Sequence, residues 1–201
     1  MVKYKLKREF DISLGSYGGN QMWHSKKIHV KTGCGPVALS NLFAYHMGLK
    51  LDRIELVNLQ EEILHFLRGP VIFPGQFIRG ARKLFKTHEL DISSRSVTLF
   101  SINSSKYTVL IELIKSSLDL DRPVALLTGP NKPFQGGVYR PDFKNHWVLI
   151  TDMEYFPESR EHIIHVSSWG ECFELNLEKL IKSKIFVSVV SIKVLKEEQH
   201  S

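Results

Sequence analysis

Apolar positions recur at helical spacing through the first part of the chain and in short strand-like runs through the second. Ala38, Leu42, Tyr45 and Leu49 follow Pro36 at intervals of three and four, and Gly48 supplies a stop. Pro36 suits the first turn of such a helix, where its missing N–H costs no hydrogen bond. A second helix is predicted over RIELVNLQEEILHFL, residues 53–67, ended by Gly69 and Pro70. A third covers QFIRGARKLFKTH and a fourth YTVLIELIKSSL, residues 107–118, with Val109, Leu110, Leu113 and Ile114 on one face. From Pro123 onward the runs become β-rich: PVALLTG, HWVLITDMEY, HIIHVSS and IFVSVVSIKV, with residues 154–161 as a hairpin loop. NLEKLIKSK, residues 176–184, reads as a short helix before the last strand, and GPNKPFQGGVYRPDFKN as a Gly/Pro-rich loop. The prediction is an α+β chain, one domain over residues 1–201, with a helical lobe at about 15–120 and a mainly antiparallel sheet lobe at about 121–196.

Composition narrows the classes. A chain of 201 residues, 43% hydrophobic and 24% charged, can bury one sizeable core. The net charge of +6 and pI near 9.3 raise the question of nucleic acid. The basic residues, however, are scattered through VKYKLKR, SKKIHVK, RGARKLFK and EKLIKSK, without zinc-finger spacing or a phosphate-cradling loop. A basic solvated surface with no nucleic-acid partner is expected. No run approaches the ~18 apolar residues of a membrane span, and the N-terminus lacks the apolar core of a signal peptide. With only Cys34 and Cys172, too few for a disulfide framework, the expectation is a soluble cytoplasmic protein, though a bridge between the two stays open.

The chemistry begins at KTGCGPVALSNLFAY, residues 31–45. Glycines on both sides of Cys34 let the chain turn and let another molecule approach, and the helix that follows would set the sulfur at the positive end of a macrodipole, favouring thiolate. A nucleophilic sulfur needs a base, normally a histidine brought from elsewhere by the fold. Of nine histidines, His146 is placed best, opening the strand HWVLITD directly after the long loop. His24 and His29 precede Cys34 in polar surroundings, His46 lies too far along the first helix, and His162 and His165 point to opposite faces of a strand, so they do not form one metal site. The residues alone leave His146 equally readable as a structural strand-end histidine.

Gln21, Trp23 and GCGPVALSNLFAYHMG together resemble the nucleophile region of papain-like cysteine peptidases, nearest the branch of bacteriocin-leader-processing peptidases. NHWVLITDMEY resembles the strand that carries the general base, and SSWG, residues 167–170, resembles the family's Asn-Ser-Trp-Gly. The resemblance implies a papain-like fold and a cysteine-dependent hydrolase acting on a peptide or related amide through an acyl-thioester. In it Cys34 is nucleophile, His146 general base, Gln21 an oxyanion donor and Ser167 the third member, with no metal or cofactor required. The family presents Asn or Asp where Ser167 stands, and an uncharged hydroxyl stabilises an imidazolium less. An acyltransferase and a catalytically silent binding module on the same scaffold are therefore the alternatives. Asp152 is read on the face of His146 but too far along the strand, Ser168 on the opposite face, Trp169 as either a roof over the histidine or core, and Cys172 as a small buried residue.

Overall fold

The computed structural model describes residues 1–67, 69–132 and 143–195. Among these residues six helices and seven strands follow one another as β1 (Val2–Lys5), α1 (Lys27–Thr32), α2 (Cys34–Met47), α3 (Arg53–Phe66), α4 (Pro74–Thr87), β2 (Asp91–Leu99), α5 (Lys106–Asp119), β3 (Val124–Thr128), β4 (His146–Phe156), β5 (Glu161–Ser168), β6 (Glu171–Asn176), α6 (Leu177–Ser183) and β7 (Val187–Leu195), with a 3-10 turn at Gln21–Trp23 before α1. The fold class is α+β. Most of the expected Gly/Pro-rich loop lies outside the described residues.

All the strands join one sheet in the order β2-β7-β3-β4-β5-β6, every pairing antiparallel, and β1 continues the β3 edge of β4 by pairing with Asp152–Tyr155. β1 and β2, from the first half of the chain, join a sheet built mainly by the second. Polar alternation hid β2: DISSRSVTL exposes every second residue over its first part. The β4–β5 turn is also tighter than expected, spanning 157–160.

Helices cover both faces. On one, Trp147 stacks on Phe77 of α4 with ring centroids 4.4 Å apart and donates its Nε1–H to the Val71 carbonyl at 2.7 Å. Asn41 of α2 reaches Ser167 on the same face. On the other, Ser117 of α5 donates to Ser191 Oγ at 2.7 Å, and Glu178 of α6 accepts from the His162 backbone at 2.9 Å. α2 is buried at every residue from Gly35 to Tyr45, as an element apolar all round must be, and stops at Gly48, whose φ of 66° a side chain would resist. α3 is fastened differently, by a reciprocal cap between Asp52 and Glu55.

The sheet core should therefore matter more than any helix end. Leu126→Ala in β3, where the side chain is wholly buried, is expected to cost about 2–5 kcal/mol, against about 1 kcal/mol for loss of the Asp52 cap in Asp52→Ala. Urea titration of both variants checks the order, and equal losses would contradict this account of the core.

Candidate active site

Cys34 is the first residue of α2 and partly exposed, while the eleven residues after it are sealed. Burial pushes its thiol pKa up, and the backbone amides of Trp147, Gly35 and Cys34 itself act against that rise. The sulfur thus lies against the start of β4, beside the amide that follows His146. Thiolate character from the helix terminus is not what prevails here. The expectation of a depressed thiol pKa is corrected, since desolvation outweighs the dipole. Both cysteines are free, and Cys172, expected inside, is exposed.

His146 opens β4 opposite Thr128 and is buried. Its Nε2 is 2.8 Å from Ser168 Oγ, and the Trp169 indole stacks on the ring at 4.4 Å between centroids and 15° between planes. Phe143 packs against its edge. Burial lowers the ring pKa to about 4. Among the described residues, Nε2 is the ring nitrogen that makes a side-chain hydrogen bond. No hydrogen bond joins Cys34 Sγ to this ring among the described residues.

Ser167 does not meet His146, which corrects the expected third member. The register pairs Leu149 with Ser167, so Ser167 shares the face of Leu149 and Trp147, while the next residue, Ser168, falls on the face of Val148 and His146. Ser167 instead donates to the Tyr17 carbonyl at 2.7 Å and accepts from Asn41 Nδ2 at 3.4 Å. Asp152 is also displaced from the expected face. A bulge between Ile150 and Asp152 reverses the alternation and pairs Asp152 with His165.

Gln21 sits beside Gly33, where a Cβ would come within 3.3 Å of Gln21 Cβ, and it donates from Nε2 to the Val30 carbonyl at 2.8 Å. Among the described residues its second Nε2 proton has no partner. The segment leading to it is tied down at several points. Gly19 N–H donates to Asn41 Oδ1 at 2.8 Å, Asn20 Nδ2 to the Trp169 carbonyl at 2.7 Å, and Tyr17 N–H to the Gly170 carbonyl at 2.7 Å. At Gly18, with φ of 91°, a Cβ would come within 2.6 Å of both Asn41 Nδ2 and Ser167 Oγ. Sequence reading weighed Ser168 but set it on the opposite face, and it missed Asn41. Asn41 gave a faint signal, as a polar residue within an apolar helix.

Beside Cys34 opens a cleft of about 460 Å³, walled by Val71, Ile72, Phe73, Leu127 and Phe186, with Lys31 at its edge. Its apolar walls suit an apolar side chain or acyl group. Among the other histidines, burial lowers His46 to about 4 on the last turn of α2, and His24, expected in polar surroundings, is buried. His162 and His165 have separate partners, Glu178 and Glu154, on opposite faces.

No family model matches this chain, and no curated protein matches it. Among solved structures it is similar to UfSP from C. elegans, with a TM-score of 0.56 at 11% identity over 95% of this chain. The chain spans 34% of that protein's length. The likeness shows the papain-like fold. No helix among the described residues is long and apolar enough to cross a membrane.

The shielding of His146 has a measurable consequence. Trp169→Ala readmits water to the ring, so its pKa should climb from about 4 toward its ordinary 6.5, as followed by NMR titration of the imidazole. Because the folded-state value is depressed, His146 contributes stability that is complete above pH 6.5 and is lost as pH falls toward about 4. The slope of stability against pH in that window should flatten in the variant, and a ring titrating at 6.5 in the unaltered protein would contradict the assignment.

Proposed function

We propose that this protein is a cysteine-dependent hydrolase that cleaves a peptide or related amide bond through an acyl-thioester on Cys34. The observation that carries the reading is the meeting of a partly exposed cysteine at the head of a buried helix with the mouth of β4, where the neighbouring side chain is an imidazole tethered at Nε2. In the proposed reaction the thiol proton passes to His146 Nδ1 as sulfur bonds to the carbonyl carbon. The oxyanion is held by the Cys34 N–H and the uncommitted proton of Gln21 Nε2. Collapse breaks the C–N bond, the leaving amine takes the proton from Nδ1, and water, deprotonated at the same atom, releases the acid and restores the thiol. Ser168 takes the role first given to Ser167. It accepts from Nε2–H, leaving Nδ1 unprotonated as a base requires. The narrower leader-processing branch rests on the sequence motif alone.

A pair of shifts in opposite directions, thiol raised and imidazole lowered, favours a neutral resting pair over a preformed ion pair. The acid limb of kcat/KM should then fall near pH 4 rather than 6.5, because only protonation of His146 removes the base. The silent-module reading is favoured by one feature, the absence of a bond between sulfur and ring. A peptidyl vinyl sulfone carrying an apolar side chain separates the two. As a hydrolase, the protein should be modified at Cys34 and not Cys172, as read by intact mass and peptide mapping, with His146→Ala slowing the reaction by about 10²-fold or more. Equal modification of both cysteines, unaffected by His146→Ala, would favour the binding module. Transfer of the acyl group to an added amine, with no release to water, would identify an acyltransferase.

A further inference from the structure

A second cluster stands on the chain just ahead of Cys34. His24, His29 and Glu61 bring one donor atom each within 4.8 Å of one another, from the end of the 3-10 turn, from α1 and from α3. The His24 side chain is wholly buried, with Nδ1 3.9 Å from Glu61 Oε1, and its ring meets that of His29 edge-on at 5.5 Å between centroids. Among the described residues neither nitrogen of His24 makes a hydrogen bond of acceptable geometry, although the Gln60 side chain lies close by, and His29 Nδ1 is likewise buried and unpartnered. The neighbouring Gln60 amide is in the same condition. Buried polar groups are ordinarily satisfied, so two adjacent imidazoles facing a carboxylate without hydrogen bonds call for a ligand.

We propose that His24, His29 and Glu61 bind a divalent transition-metal ion of the zinc class, fastening the segment that leads into Cys34 to α3. Two neutral imidazoles and a carboxylate are a borderline donor set that zinc accepts, with a fourth position left for water. Bonds of about 2.0–2.2 Å in a tetrahedron put donors about 3.4 Å apart, so an inward movement of about 1 Å closes the set. Glu61, partly exposed, has room to make it. The other candidate group, Asp152, Glu154 and His165, already has a cation, since Lys3 Nζ lies 3.1 Å from Asp152 and 2.9 Å from Glu154. Gln21 lies just before the first ligand and Cys34 just after the second, so the ion would hold both ends of the stretch that shapes the nucleophile. The site does not depend on the hydrolase reading.

The test uses the metal-free full chain with Cys34→Ser and Cys172→Ser, which removes both thiols as competing ligands. Zinc titrated by calorimetry should bind at one equivalent, and cobalt should give the visible absorption of a tetrahedral site. His29→Ala and Glu61→Ala, each altering a half-buried position, should weaken binding by about tenfold or more and abolish the cobalt spectrum, whereas His165→Ala should leave both unchanged. Circular dichroism of each variant separates loss of a ligand from loss of the fold. Absence of stoichiometric binding, or binding that survives both ligand substitutions, or binding that disappears with His165→Ala, would overturn the proposal.

Discussion

Burial of α2 against the sheet is the constraint from which the rest of the site follows. A helix sealed from Gly35 to Tyr45 has no freedom to rotate or slide, so its first residue is fixed against the strand it packs on. That strand is β4, and its first residue is His146. The Cys34 sulfur accordingly lies against the amide of Trp147, the residue after His146. The same burial leaves Asn41 inside, where a polar amide must find partners. It finds them in Gly19 and Ser167 and so ties the loop ahead of Gln21 to the sheet.

The strand period then divides labour between adjacent serines. Ser167 looks toward α2 and holds the Tyr17 loop, and Ser168 looks the other way and holds the imidazole. Exchanging their roles would require slipping β5 by one residue, which would also turn Ile164 and Val166 out of the core. Beyond them Trp169 and Gly170 close the β5–β6 turn with φ of 50° and 79°. A tryptophan in the left-handed region is uncommon and costs about 1–3 kcal/mol. Here that conformation lays the indole over His146 while its carbonyl receives Asn20.

Long helices with clear periodicity were legible in the chain, and so were the buried strands, because three- and four-residue spacing and β-branched runs report burial directly. The strand β2 was not, since its exposed Ser and Arg positions weaken any apolar pattern. The placement of Cys34 at a helix start and of His146 at a strand start could be read from the flanking glycines and the apolar pattern. Ser168 could not, for its orientation depends on cross-strand register, and Asp152 was misread because a bulge leaves no mark in composition. The His24 cluster was opaque for a related reason: its carboxylate arrives from another helix.

The state of the sulfur shows how competing effects are decided. A helix N-terminus favours an anion by about 0.3–1 kcal/mol, rising to ~2 in sheltered geometries. Burial can move a pKa by several units, each about 1.4 kcal/mol. With Cys34 tucked against the amide of Trp147, desolvation is the larger, so the thiol stays protonated despite its favourable end of the helix. The same burial keeps His146 neutral. Apolar enclosure therefore disfavours charge on both groups, so a neutral thiol and a neutral imidazole, rather than a standing ion pair, are the resting forms this arrangement supports.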